Sequence, residues 1–356
     1  MIQAVDLFCG AGGLTAGLIK AGISVSAGFD IESSCEFAYT FNNNVNFHNR
    51  DVATISSDEL KKCYDLDKIR LLAGCAPCQP FSTYNQGKDT TLDTKWPLLY
   101  EFSRLIRDTR PELVTMENVP HVTKHQVYKD FVCELRSLGY HIWEGKIKCE
   151  EYGLPQIRRR HVLLASQLGS INLIEPTHIG RLSSVRDTIA AQPILKAGES
   201  YVDDPLHSTQ KLSDINLLRI QASRPGGTWK DWPESLRARC HVKPSGKSYV
   251  GVYGRMCWNE PSPTITTLCY GFGNGRFGHP EQHRALSLRE ASLLQSFPST
   301  YAFQPANKKV NFRAVGRMIG NAVPVRLGEI IGLSFIQHIN SINKNITQRS
   351  SIFARQ

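Results

Sequence analysis

From the first residues to about Gly169, short apolar runs alternate with longer stretches whose apolar residues recur every three or four positions. The runs "IQAVDLF", "SVSAGFD", "IRLLAG", "PELVTMEN", "YHIWEGKIK" and "RHVLLAS" predict strands. A shorter segment, "NFHNRD", falls between the second and third of them. The stretches "LTAGLIKAG", "SSCEFAYTFN", "PLLYEFSRLIRDTR" and "VYKDFVCELRSLG" predict helices. Strands alternating with helices of this length imply βαβ units, hence an α/β fold with a mainly parallel sheet. From Arg181 to His283 the periodicity disappears, and Gly, Pro, Trp and Arg dominate stretches such as "SRPGGTWKDWPESLRARCH". This predicts a second, smaller, irregular domain. Helical spacing returns in "SLREASLLQSF" and "FRAVGRMIGNAVPVRLGEIIGLSFIQHI". The expected division is a first domain over 1–180, a small domain over 181–310, a helical segment over 311–340 returning to the first domain, and a fraying polar tail over 341–356.

Composition adds a partner class. The 356 residues carry a formal net charge of +10, which favours an anionic partner, with nucleic acid ahead of a membrane surface. "MIQAVDLFCG" has no basic stretch ahead of an apolar one, and no run of eighteen apolar residues occurs. Neither a signal peptide nor a transmembrane helix is expected. Ten cysteines in such a chain are expected to be reduced thiols in a cytoplasm. A metal site would need a second ligand pair beside Cys75 and Cys78, and none stands at finger-like spacing, so no metal is expected.

The candidate chemistry gathers at strand ends. "DLFCGAGGLTAGL" places Gly10, Gly12 and Gly13 between the first strand and the first helix, where the backbone can approach a ligand. Asp30 ends the second strand, at the place from which a carboxylate can take two ribose hydroxyls. Asp51 can accept from an adenine amino group. Thr15 stands where a dinucleotide fingerprint needs a small residue, so a single adenosine ligand is favoured over a nicotinamide cofactor. "GCAPCQPFS" and "MENVP" follow two further strands to the same carboxyl edge. Cys78, Glu117 and the glycine turn should therefore share one cleft. From the residues alone, Cys75 and Cys78 can be a redox pair, half a metal site, or one reactive thiol with a bystander.

Six ordered motifs decide among these. "DLFCGAGG", "PCQPFS", "ENV" at Glu117 to Val119, "QIRRR" at Gln156 to Arg160, "RALSLREASLLQSFP" and "GNAVP" at Gly320 to Pro324 run through nearly the whole chain. In that order the chain resembles the S-adenosylmethionine-dependent cytosine carbon-5 DNA methyltransferases of bacteria and phages. The resemblance implies a Rossmann-like class I methyltransferase fold with a smaller target-recognition domain. It implies that Cys78 is the nucleophile and Cys75 a bystander. Glu117 and Asn118 belong to the cytosine-binding motif, and Arg158 and Arg160 match the two family arginines, the first addressing the base's carbonyl oxygen and the second steadying the glutamate. Arg159 should point away.

The chemistry suits these residue types. A thiolate adding to carbon 6 of cytosine makes carbon 5 enamine-like, and a protonated Glu117 can donate to ring nitrogen 3. The base that removes the carbon-5 proton is not identifiable from the sequence. For S-adenosylmethionine the resemblance implies contacts from Phe8, Gly10, Ala11, Gly12, Gly13, Asp30, Asp51, Val52, Leu98, Asn321 and Ala322. Ile31 would give apolar packing where the family often has an aromatic.

The substrate would be double-stranded DNA with the cytosine flipped out. The loop "STYNQGKDTTLDTK" would close over it, with Gln79, Ser82 and Lys88 on the DNA. Arg224, Lys230, Arg255 and Arg276 are the candidate contacts of the small domain, while Trp229 and Trp232 are expected in its core. A monomer acting on a short site is expected, accompanied by a cognate restriction endonuclease. Three other readings remain: a transfer-RNA cytosine methyltransferase of the same superfamily, a DNA-binding protein without catalysis, and a thiol–disulfide oxidoreductase.

Overall fold

The structure is a computed structural model, and it describes residues 1–77, 97–246 and 249–353. Seven strands form one sheet: β1 (Ile2–Leu7), β2 (Ser24–Asp30), β3 (Asn46–Asn49), β4 (Ile69–Gly74), β5 (Leu113–Asn118), β6 (His141–Lys148) and β7 (Arg159–Ser166). The helices in chain order are α1 (Gly13–Lys20), α2 (Glu36–Asn43), α3 (Ser57–Lys61), α4 (Pro97–Thr109), α5 (Gln126–Ser137), α6 (Val185–Ile189), α7 (Asp214–Ala222), α8 (Arg239–Val242), α9 (Leu288–Leu294), α10 (Phe312–Asn321) and α11 (Val325–Phe353).

The sheet order is β3-β2-β1-β4-β5-β7-β6. The first five strands are parallel, and β7 pairs antiparallel with both β5 and β6. The chain runs outward in one direction from β1 to β3 and in the other from β4 to β5. The gap between β1 and β4 is thus the switch point outside which α/β sheets hold ligands. β1 and β5 are buried along their whole length, as strands covered on both faces must be. Their apolar side chains join Phe102 of α4 and Phe131 of α5 in the main core.

The chain divides into two compact units, residues 1–148 with 159–176 and 323–356, and residues 149–158 with 177–322. This differs from the expected division in two places. Residues 149–158 join the second unit because their backbone pairs with Ser262: the Ile157 amide donates to the Ser262 carbonyl, and the Ser262 amide to the Pro155 carbonyl. α10 also stays there, and the return begins at Val323. The reason is close contact: a Cβ on Gly320 would lie 2.3 Å from the backbone of Thr266 and Thr267.

In the first unit α11 packs against α1. A Cβ on Gly17 would lie 2.4 Å from the Val325 carbonyl oxygen, so only glycine lets the two helices approach this closely. Through most of the polar tail the backbone is helical, α11 running on to Phe353. No glycine or proline follows Gly332, and Ile339, Ile342 and Ile346 keep a helical period. The stretch Phe312–Lys344 is apolar enough to cross a membrane, yet 67% of its most apolar window is buried inside the protein.

The second unit has little regular structure and a core of Ile220, Trp229, Trp232, Phe272 and Ala285. Both tryptophans are therefore core residues, with the His241 ring stacked 4.4 Å from Trp229. In "RALSLREASLLQSFP", Ser287 caps α9 and Glu290 closes the capping box. Glu290 also takes two hydrogen bonds from Arg284, at 2.7 and 2.8 Å, with both side chains 0% exposed.

Candidate active site

At the end of β1 the chain turns through the left-handed region three times, at Phe8 (φ 58°), Gly10 (φ 50°) and Gly12 (φ 89°). Glycine adopts this conformation freely, whereas at Phe8 it costs about 1–2 kcal/mol, the kind of strain that gathers at functional sites. Gly12 is the N-cap of α1. The turn is tied to the end of β2: Asp30 accepts from the Gly10 amide at 2.8 Å and from the Glu32 amide at 2.8 Å. Burial pushes the Asp30 carboxyl above its ordinary value, and these amides pull it back. A Cβ on Gly10 would meet no atom within 4 Å, so open space lies in front of the turn. Ile31 is 70% exposed. Asp51 caps a short 3-10 turn, accepting from the Ala53 amide, and Val52 behind it is buried. Leu98 is half-buried near the start of α4.

Beneath the turn sits a buried polar contact that the sequence did not disclose. Thr15 donates to Asp6 at 2.7 Å and lies 3.0 Å from the Tyr39 hydroxyl. The side chain that breaks the dinucleotide fingerprint thus ties α1 to β1. Burial pushes the Asp6 carboxyl from 3.8 up to about 7, against the Thr15 hydrogen bond and with help from the nearby Asp30. A raised acid binds its proton more tightly folded than unfolded, so stability is lost as pH rises from the unfolded value to about 7. Relative to wild type, Asp6→Asn should therefore gain about 2 kcal/mol between pH 5 and pH 7 in urea melts. A gap that does not change with pH would show that Asp6 releases its proton equally in both states.

On the other side of the switch point, β4 ends at Gly74 and β5 carries Glu117 and Asn118. The register sets Gly74 opposite Met116. Glu117 is 3% exposed. Its Oε1 lies 2.8 Å from Arg160 Nε on β7, and its Oε2 accepts from the Cys75 thiol at 3.0 Å. Asn118 donates from Nδ2 to the Ala76 carbonyl at 3.0 Å and accepts from the Val119 amide. One carboxyl, one guanidinium and one thiol thus meet on three strand ends, and the next residue of β5, Asn118, clips the backbone that leads to Pro77. Cys78, Gln79, Ser82 and Lys88 lie outside the described residues.

The other expected site residues are spread more widely. Arg158 belongs to the second unit, where its guanidinium donates to Gln156 Oε1 and the Ile265 carbonyl. Asn321 and Ala322 also fall in the second unit, at the end of α10. Arg255 is corrected as a DNA contact. It is 2% exposed and donates to the carbonyls of Ile220, Ser223, His279 and Gln282, so it holds loops together. Arg276 is likewise turned inward, onto the carbonyls of Gly227 and Arg255. Arg224 has a 74% exposed side chain, paired at 3.3 Å with Asp231, and Lys230 is exposed beside the Trp229 ring.

Comparison with known proteins converges with this geometry. Residues 2–337 match the family of C-5 cytosine-specific DNA methylases. The Type II methylase M.HgiDII of Herpetosiphon aurantiacus is 48% identical over 344 residues, 96% of each chain. The Type II methyltransferase M.Eco47II of Escherichia coli is 30% identical, over 96% of this chain and 80% of its own. A solved putative DNA modification methyltransferase encoded within an E. coli prophage superposes with a TM-score of 0.71 at 20% identity, over 96% of this chain and 100% of its own, which shows a shared fold. The chain belongs to the C-5 cytosine-specific DNA methylase family and is a DNA cytosine-5 methyltransferase.

Proposed function

We propose that this enzyme methylates carbon 5 of a flipped-out cytosine in a short duplex site through a transient bond from Cys78 to carbon 6, with Glu117 as the acid toward ring nitrogen 3. The observation that carries this reading is Glu117, buried at a strand end and held by Arg160 and Cys75, on the strand next to the one that leads into Cys78. A thiolate that adds to carbon 6 puts negative charge on the ring, and a proton delivered to nitrogen 3 neutralises it. The carboxylate left on Glu117 then faces the Arg160 guanidinium, which stabilises it. Asn118 holds the Ala76 carbonyl and so fixes the approach of the nucleophile loop. Release of the carbon-5 proton, departure of the thiolate and return of the nitrogen-3 proton to Glu117 restore the neutral ring.

The residues of the glycine turn fit S-adenosylmethionine. The space before Gly10 admits a ligand, Asp30 presents a carboxylate to ribose hydroxyls, and the exposed Ile31 offers an apolar surface to adenine. When bound there, S-adenosylmethionine supplies an electrophilic methyl group. Phe8, the 10–13 turn, Asp51, Val52 and Leu98 complete the candidate contacts of the first unit; Asn321 and Ala322 remain candidates by sequence and belong to the second. Arg224 and Lys230 are the candidate DNA contacts of that unit, and Arg158 the candidate for the base's carbonyl oxygen. A monomer in the cytoplasm is the form proposed. The Type II names of the relatives support a cognate restriction endonuclease as the accompanying protein.

The test is covalent capture. Incubated with S-adenosylmethionine and duplex DNA containing 5-fluorocytosine, which cannot release the proton at carbon 5, the protein should form a complex that survives denaturing electrophoresis. Cys78→Ser should form none. Capture by the serine variant, or no capture by the wild type on DNA that it methylates, would refute the Cys78 assignment.

A further inference from the structure

The catalytic reading leaves one thiol without a task. Cys75 is half-buried at the end of β4, and by register it stands across from Glu117 on β5. Its Sγ lies 3.0 Å from Glu117 Oε2, while Arg160 Nε takes Oε1. The two carboxyl oxygens therefore have different partners. Oε1 is ion-paired with the Arg160 guanidinium at 2.8 Å without a hydrogen bond to it; a positive charge beside that oxygen disfavours a proton there, which assigns the acid proton of Glu117 to Oε2. The terminal torsion of a glutamate is broad and soft. Without a second partner, the carboxyl plane could swing about its Arg160 contact and carry the proton away from the base.

We propose that Cys75 is a positioning residue: its thiol fixes the orientation of the Glu117 oxygen that protonates the flipped cytosine. The inference rests on the reading of Glu117 as the acid. The proton moves from Oε2 to ring nitrogen 3, the Oε2–H bond breaks, and its electron pair stays on a carboxylate that is ion-paired with Arg160 and accepts from the Cys75 S–H. A donor that gains strength as the carboxylate forms favours the transfer itself over binding. Replacement of Cys75 should therefore alter the rate of methyl transfer and leave the affinity for DNA unchanged.

The experiment measures single-turnover methyl incorporation into unmethylated genomic DNA for wild type, Cys75→Ala, Cys75→Ser, Glu117→Gln and the Cys75→Ala/Glu117→Gln double variant. Loss of one uncharged hydrogen bond should slow Cys75→Ala by about 3- to 10-fold at an unchanged half-saturating DNA concentration. Cys75→Ser keeps a donor of similar size and should stay within about twofold of wild type. In the Glu117→Gln background the alanine substitution should cause no further loss. The proposal is overturned if Cys75→Ala reacts at the wild-type rate, if alanine and serine slow the reaction equally, or if alanine slows the glutamine variant by its full factor. Should Glu117→Gln itself remain active, the reading of Glu117 falls, and this inference with it.

Discussion

Glu117→Gln is expected to slow methyl transfer by about 10²- to 10⁴-fold, the range that a positioned general acid supplies, while the protein still binds its DNA. Glutamine fills the same volume in a site where the native side chain is 3% exposed, so packing is preserved. Its amide oxygen is the end that the positive Arg160 guanidinium favours, which leaves the NH₂ group on the side held by Cys75. That group can donate a hydrogen bond to ring nitrogen 3 but cannot give up a proton. Charge that builds on the ring as the thiolate adds is then stabilised only in part. Single-turnover methylation and a filter-binding assay on the same DNA separate the two effects. A rate within about tenfold of wild type would mean that Glu117 orients the base without protonating it.

The second large effect lies in the other unit and concerns stability. Glu290→Gln should destabilise that unit by about 3–5 kcal/mol, because it leaves the fully buried Arg284 guanidinium facing a neutral group. Against a typical total of about 5–15 kcal/mol, this is a large fraction of what holds the unit folded. Burial alone would raise the Glu290 carboxyl, yet pairing with Arg284 and the Ser287 amide carries it below its ordinary value. A depressed acid contributes stability that is present above its unfolded value of 4.5 and is lost as pH falls through the folded one. Hydrogen exchange should show early opening of the second unit in the variant, with the parallel sheet still protected. Equal protection of both units would show that the pair is dispensable.

How much of this was legible in the chain depends on the range of the interaction. β4 coincides with "IRLLAG", whose last four residues are a buried apolar run, and β2 with "SVSAGFD", whose apolar Val25, Ala27 and Phe29 alternate with smaller or polar residues. α3 escaped notice, since five residues hold too little periodicity to detect. The single reading of "FRAVGRMIGNAVPVRLGEII" as helix passed over a break at 322–324 that divides α10 from α11. The glycine turn and Asp30 were visible because strand ends carry their chemistry locally. The contact of Cys75 with Glu117 was not, because it follows from the register of β4 on β5, which neither segment states by itself. Arg255 shows the opposite error. A cation in an irregular stretch looks like a ligand for phosphate, but irregular backbone also leaves carbonyls unpaired, and this guanidinium satisfies four of them.

The partnership of α1 with α11 also bears on how the enzyme is made. Chains grow at about 5–20 residues per second, and domains usually fold in the order in which they emerge. Here the helix that follows the glycine turn waits for a partner translated about 300 residues later. Until α11 arrives, the apolar flank of α1 and the turn above it stay uncovered. A nascent chain that stalls within the second unit would leave the first one open to proteases and chaperones. The first unit is thus closed only once synthesis has passed α11.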